Sequence, residues 1–124
     1  MSRGQRGQTT VEFAALLPLV LLVAFALVEI GLLAADQVRL WHAAREAARV
    51  AVVDPRAAMA EAAARRNGFE TLDMSISPEA VERRQGEPLT VRLRYDRPGD
   101  VPIVRYLFSG VTLRAEATMR IEQP

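Results

Sequence analysis

Sixteen consecutive uncharged residues, Phe13 to Val28, constrain this 124-residue chain more than any other feature. A single acid, Glu29, interrupts the run, which then continues to Ala35 for 23 residues in all. A bilayer core takes about 20 apolar residues at 1.5 Å rise, so a helix over this stretch is long enough to cross, with Glu29 tolerated near an interface. Pro18 lies inside it, and a membrane helix tolerates proline as a kink because neighbouring groups satisfy the freed carbonyl. A buried helix of a soluble protein fits poorly, because the 89 residues from Asp36 to Pro124 are too few to wrap a helix apolar all round. A secretory signal cut near Ala26, in the small-x-small stretch Ala24-Phe25-Ala26, is the rival reading. Glu12 stands between the basic Arg3 and Arg6 and the apolar run, and the run does not stop at Ala26, which both weigh against that cut. Arg3, Arg6 and the amino terminus oppose Arg39, Arg45 and Arg49, so basic charge alone does not orient the helix.

Composition removes much chemistry. Cysteine is absent, which excludes disulfides, thiolate catalysis and cysteine-based zinc sites. All 16 basic residues are arginine, so lysine nucleophiles and Schiff bases are excluded too. From Asp36 onward 14 arginines face 13 acids, a net of +1 that leaves no electrostatic footprint for nucleic acid. His42 is the one histidine and sits beside Trp41, where a structural role is expected. No HExxH, phosphate-binding glycine loop, GxSxG or EF-hand pattern occurs. Asp96 and Asp100 are spaced for paired-acid work, but Arg97 between them favours a solvated turn. Arg65-Arg66 and Arg83-Arg84 read as solvated surface, and Tyr106-Leu107-Phe108 as a patch buried under a sheet. The chain is expected to be no enzyme, with no catalytic residue, no metal and no cofactor.

Directly before the apolar run stands Arg6-Gly7-Gln8-Thr9-Thr10-Val11-Glu12-Phe13. A carboxylate at that boundary costs roughly 2.5–3.5 kcal/mol if drawn to the bilayer centre, so it needs a partner. Cleavage after Gly7 would create one, the new α-amine of Gln8, and a neighbour's Glu12 could pair with it when helices pack side by side. Such pairing rewards a fixed axial stagger between subunits, the requirement of a helical filament. The competing explanation is that Glu12 merely favours the positive end of a helix dipole.

The arrangement resembles the class III signal of type IV pilins and pseudopilins, cut by a prepilin peptidase after the glycine of G/xxxxE. Gly7 would precede the cut, Gln8 would be the first mature residue and Glu12 the fifth. Phe13 beside that glutamate looks like the variant of the Flp (tight adherence) branch. Gly4 is no rival, since Thr9 stands five residues after it. The longer stretch Gly7-Gln-Thr-Thr-Val-Glu-Phe-Ala-Ala-Leu-Leu-Pro-Leu19 is similar to the opening of TadE-like proteins, minor pseudopilins of the Tad/Flp pilus system. Val38 to Arg49 and Val111 to Glu122 are similar to that family as well.

The resemblance implies a substrate of prepilin peptidase that helps assemble an adhesive pilus. Its implied partners are other Tad/Flp pilins and pseudopilins, the inner-membrane pilus assembly platform and the lipid bilayer, with no nucleic acid. It also implies a single-pass protein of the cytoplasmic (inner) membrane, N-terminus cytoplasmic and C-terminal domain outside, with incorporation into the pilus left open. Two other readings remain beside it: an unprocessed membrane-anchored interaction module, and a small secreted domain released by signal peptidase.

No loop signal separates Ala35 from Val53, so the helix is expected to continue as a spine; Gln8 to Val53 is 46 residues, about 69 Å. Val38, Trp41, Ala44, Ala48 and Ala51/Val52 form its apolar stripe at three- and four-residue steps. Asp54-Pro55 ends it and opens a second helix, Arg56 to Arg66, with Asp54 as cap, stopped by Asn67-Gly68. The period then changes to two. Leu72-Met74-Ile76, Leu89-Val91-Leu93-Tyr95 and Val111 through Ile121 alternate with polar residues, which predicts three antiparallel strands with one wet face. Gln85-Gly86-Glu87 supplies a turn between the first two strands, Pro98-Gly99-Asp100 ends the second, and Ile103 to Phe108 could form a connecting helix. The expected class is α+β: a long transmembrane helix continuing as a spine, a second short helix, and a small three-stranded antiparallel sheet. The parts are a leader over 1–7, an assembly helix over 8–35 and an exported domain over 36–124.

Overall fold

The computed structural model describes residues 3–97, 106 and 111–122, residues 3–5 by their backbone alone. Helix α1 (Arg3–Ala51) is followed by helix α2 (Ala57–Arg65) and strand β1 (Asp73–Ser77). A 3₁₀ turn (Ala80–Glu82) leads to strands β2 (Pro88–Arg97) and β3 (Val111–Arg120). The strands form one antiparallel sheet in the order β1-β2-β3. This is the α+β plan expected. The turn over Pro98–Asp100 and the connecting helix lie outside the described residues, apart from Tyr106.

The helix starts at Arg3, five residues before Gln8, and runs unbroken through Pro18. Its end is closed by the sheet: Glu122 N–H donates to Val52 O at 3.2 Å, and the Arg83 guanidinium donates to Ala51 O at 3.3 Å. Arg83 is therefore buried, not solvated surface as expected, because a helix C-terminus leaves carbonyls that need donors. Arg84 and Arg66 are exposed, as expected.

Asp54 does not cap α2. The cap position is Arg56, without a side-chain hydrogen bond. Asp54 instead accepts from Arg56 N–H at 2.9 Å and from its guanidinium at 2.6 Å, a tight Asx-type corner around Pro55. The hydrogen bond from the Arg56 side chain, then that from its backbone, holds the Asp54 carboxyl at about 2, below its ordinary 3.8. Gly68, with φ of +93°, stops the chain after α2 in a conformation that glycine adopts at little cost.

Two layers enclose the core. Leu40, Ala43, Ala44, Ala47, Ala48 and Ala51 of α1 are buried against Ala60 and Ala64 of α2 and against the dry face of the sheet. Leu89, Val91 and Leu93 of β2 and Leu113, Ala115 and Ala117 of β3 supply that face. The expected stripe is thus rotated: Ala44, Ala48, Ala51 and Val52 are inside, while Val38 and Trp41 are about half exposed. The alanines were selected because small side chains let α1 approach a helix and a sheet together. Trp41, at that separation, would overfill the gap.

The wet face is joined across strands by register partners. Arg92 donates to Glu116 at 2.9 Å, Thr90 and Thr118 share a hydrogen bond of 2.9 Å, and Thr112 donates to Asp96 at 2.7 Å. Gln37 Nε2 donates to Arg114 O at 2.7 Å, so the spine helix covers the outer edge of β3. Gly86, at φ +85°, makes the turn before β2 and donates its N–H to Ile121 O at 2.9 Å.

Two outcomes test this packing. Ala48→Leu should destabilise the domain by about 1–3 kcal/mol through overpacking, whereas Val38→Ala should stay within about 0.5 kcal/mol, both read by denaturant unfolding. Since the folded Asp54 carboxyl sits below its unfolded value, its contribution is present above pH ~4 and lost as pH falls toward 2. Asp54→Asn should flatten that part of the stability–pH curve, followed by circular dichroism.

Candidate functional site

Among the described residues, the first half of α1 stands free of the rest of the chain. Phe13, Leu16, Val20, Leu27 and Val28 are among the large apolar side chains left exposed along it. In water such a bare apolar column is untenable. Its length and composition suffice to cross a membrane once.

Gly7, Gln8, Glu12 and Phe13 all lie within α1, at the root of that column. Gln8 and Glu12 are one helical turn apart, so both project from one face, and Gln8 Nε2 donates to Glu12 Oε1 at 3.4 Å. Phe13, 69% exposed, opens the apolar surface beside them. A Cβ added to Gly7 would meet open space within 4 Å. Glu12 stands nine residues inside α1, beyond the first turn, where the helix dipole no longer accounts for an acid in the full chain.

The other end of the apolar column carries a constellation that the linear reading missed. Arg97, at the end of β2, reaches α1 and donates from Nη1 to Glu29 Oε1 at 2.6 Å and from Nε to Asp36 Oδ2 at 2.5 Å. The side chains of Arg97 and Glu29 are 4% and 5% exposed. Asp36 also pairs with the half-exposed Arg39, whose guanidinium lies 5.6 Å from the Phe69 ring centroid. Phe69 meets Tyr95 edge-on at 4.8 Å, which carries the chain of contacts back to β2. Glu29 Oε2 is buried without a hydrogen-bond partner. Glu29 is therefore no mere charge tolerated near an interface. It is the helix side of a buried ionic contact.

Two signals in the sequence could have found it. Arg97 continues the inward parity of Leu89, Val91, Leu93 and Tyr95, and Glu29 and Asp36 lie seven residues apart on one helical face. Two acids two turns apart on one face, opposite an arginine at a core parity, ask for a pair.

Other candidates behave differently. Tyr106 is 85% exposed rather than buried under the sheet, and Leu107 and Phe108 lie outside the described residues. Asp96 is exposed and bonded to Thr112, while Asp100 lies outside the described residues. His42 is exposed and borders a shallow groove with Arg45, Arg49 and Arg66. Among the described residues no group of acids and histidines could hold a metal ion.

A bare apolar helix carrying a small α+β domain on its far half fits a single-pass membrane anchor. Residues 7–49, which span Gly7, Glu12, the apolar column, Glu29 and Asp36, match the family model described as TadE-like protein. Over that segment, 43 of the 124 residues, the chain is similar to TadE-like proteins. Neither the curated proteins nor the solved structures contain a match to it.

Removing the cation should expose what the ionic contact contributes. Arg97→Leu would leave two buried carboxylates facing each other and should cost about 3–5 kcal/mol, seen as a lowered unfolding midpoint of the detergent-solubilised protein. Arg92→Leu on the wet face should cost less than about 1 kcal/mol.

Proposed function

We propose that the chain is a minor pseudopilin, processed by a prepilin peptidase after Gly7 and required to assemble a Tad/Flp-type adhesive pilus. It acts as a peptidase substrate and a structural subunit, not as an enzyme. The observation that carries this reading is the placement of Glu12. Its carboxylate is exposed on α1 exactly one turn after Gln8, at the start of a 16-residue column with no cover of its own.

Removal of residues 1–7 would convert Gln8 into an α-ammonium group. In a row of parallel helices out of water, that charge is the partner that a boundary carboxylate requires. The mature chain would hold 14 arginines against 15 acids, a net of −1. The open space at Gly7 supports access by a peptidase, and glycine weakens helix by about 1 kcal/mol relative to alanine. The domain then stands on the outer side of the cytoplasmic membrane, where its neighbours are other pilins, pseudopilins and the assembly platform.

The N-terminal sequence of the protein from its own membranes tests processing, and Gln8 is the expected first residue. A start at Met1 or Ser2 would instead favour an unprocessed anchored module, and a start near Leu27 a secreted domain. Glu12→Ala should leave membrane insertion intact while abolishing recovery of the chain in pilus-associated complexes. Undiminished pilus formation in that variant would remove the carboxylate from the mechanism.

A further inference from the structure

The two ends of the apolar column are fixed by different means, and their separation is short. At the outer end, Glu29 is held by Arg97, which is also bonded to Asp36. Arg97 belongs to β2, so this end of the helix can enter lipid only by drawing in the end of the sheet. There, the exposed Asp96 and the half-buried Thr112 form the next rung beside the Arg97–Val111 pair and are bonded to each other. Two carboxylates, a guanidinium and a strand end must all stay out of hydrocarbon.

Between Glu12 and Glu29 lie 16 residues, which rise about 24 Å. A typical hydrocarbon core is about 30 Å thick. Tilt, or a bend at Pro18, shortens the reach further. The deficit of about 6 Å is four residues of helix, the distance from Gln8 to Glu12.

We propose that the Glu29–Arg97–Asp36 contact sets the membrane boundary of the anchor at Val28/Glu29, so that the short span draws Glu12 about one turn into the hydrocarbon. Arg97 is thereby a positioning residue for a group at the far end of the helix. Ile30, Leu32, Ala34 and Ala35, exposed on α1 away from the domain, lie at headgroup level rather than in the acyl chains. The inference rests on the helix spanning a membrane, as proposed above, and adds where the span begins and ends and what determines it. It makes the requirement of Glu12 for a partner a consequence of packing on the opposite side of the bilayer.

The chain has no cysteine, so single cysteines report position without background. Full-length variants with a cysteine at residue 6, 10, 11, 20, 27, 28, 30, 32, 34 or 35 would be labelled by an impermeant maleimide in membrane fragments open on both faces. The expected pattern is protection from Thr10 through Val28, with reaction at Arg6 and from Ile30 onward. Protection that continues through Ala34 and Ala35, or reaction at Thr10 and Val11, overturns the boundary. A chain that reacts everywhere removes the membrane reading itself, and the boundary with it.

In the Glu29→Leu/Arg97→Met double variant the outer boundary should move by about one turn, protecting Ile30 and Leu32, and Thr10 should become reactive. Glu29→Leu keeps the Asp36–Arg97 pair and should shift the boundary the same way in a folded domain. An unmoved boundary in both variants shows that Arg97 does not position the helix and overturns the proposal.

Discussion

A buried guanidinium ties the end of the sheet to the long helix at the base of the domain. Arg97 is buried at the end of the central strand, between Glu29 and Asp36 of the long helix. A buried cation is costly unless its hydrogen bonds and its countercharge are both supplied, and here two carboxylates two turns apart on one helical face supply them. The contact has few other geometries available, so it fixes which face of α1 meets the sheet and at what height. The rotation of the spine, the burial of its alanines and the exposure of Trp41 follow from that docking.

Above the contact, close approach is possible because the side chains at the interface are small. Ala43, Ala44, Ala47, Ala48 and Ala51 let one helix pack simultaneously on α2 and on the sheet, and the large apolar residues come mainly from β2 and β3. The top is closed by polar groups: Arg83 and the Glu122 N–H supply donors to the last carbonyls of α1 and the residue after it. Among the described residues, the helix below the contact has no such partners. Its exposed apolar side chains call for a cover of lipid or of other helices.

Much of this was legible in the linear chain, for physical reasons that can be named. Alternation at period two survives in β2 and β3 because each strand has one wet and one dry face, so the strands were recognisable nearly to their ends. The apolar run from Phe13 was readable because the capacity to cross a membrane is a local property of a run of side chains, independent of what the rest of the chain does. The same locality misled at the stripe of α1. Periodicity identified a helix with an apolar side, but Val38 and Trp41 satisfy that periodicity as well as Leu40 and Ala47 do. Asp54 was misassigned because an acid before proline can cap a helix or close an Asx turn, and its bond to the Arg56 side chain decided between them.

The sequence by itself determined an α+β chain with one apolar helix, a glycine and a glutamate at its threshold, and three alternating strands, since each depends on neighbours within a few residues. Tertiary structure alone decided that Glu29 is paired, that Arg83 closes the spine, and which side of α1 faces the sheet. Those outcomes rest on contacts between residues 32 to 68 positions apart, as from Ala51 to Arg83 and from Glu29 to Arg97. An inward-facing arginine and a lone acid in an apolar run each look anomalous in isolation. Folding brings them within 2.6 Å, where each offsets part of the other's cost of burial.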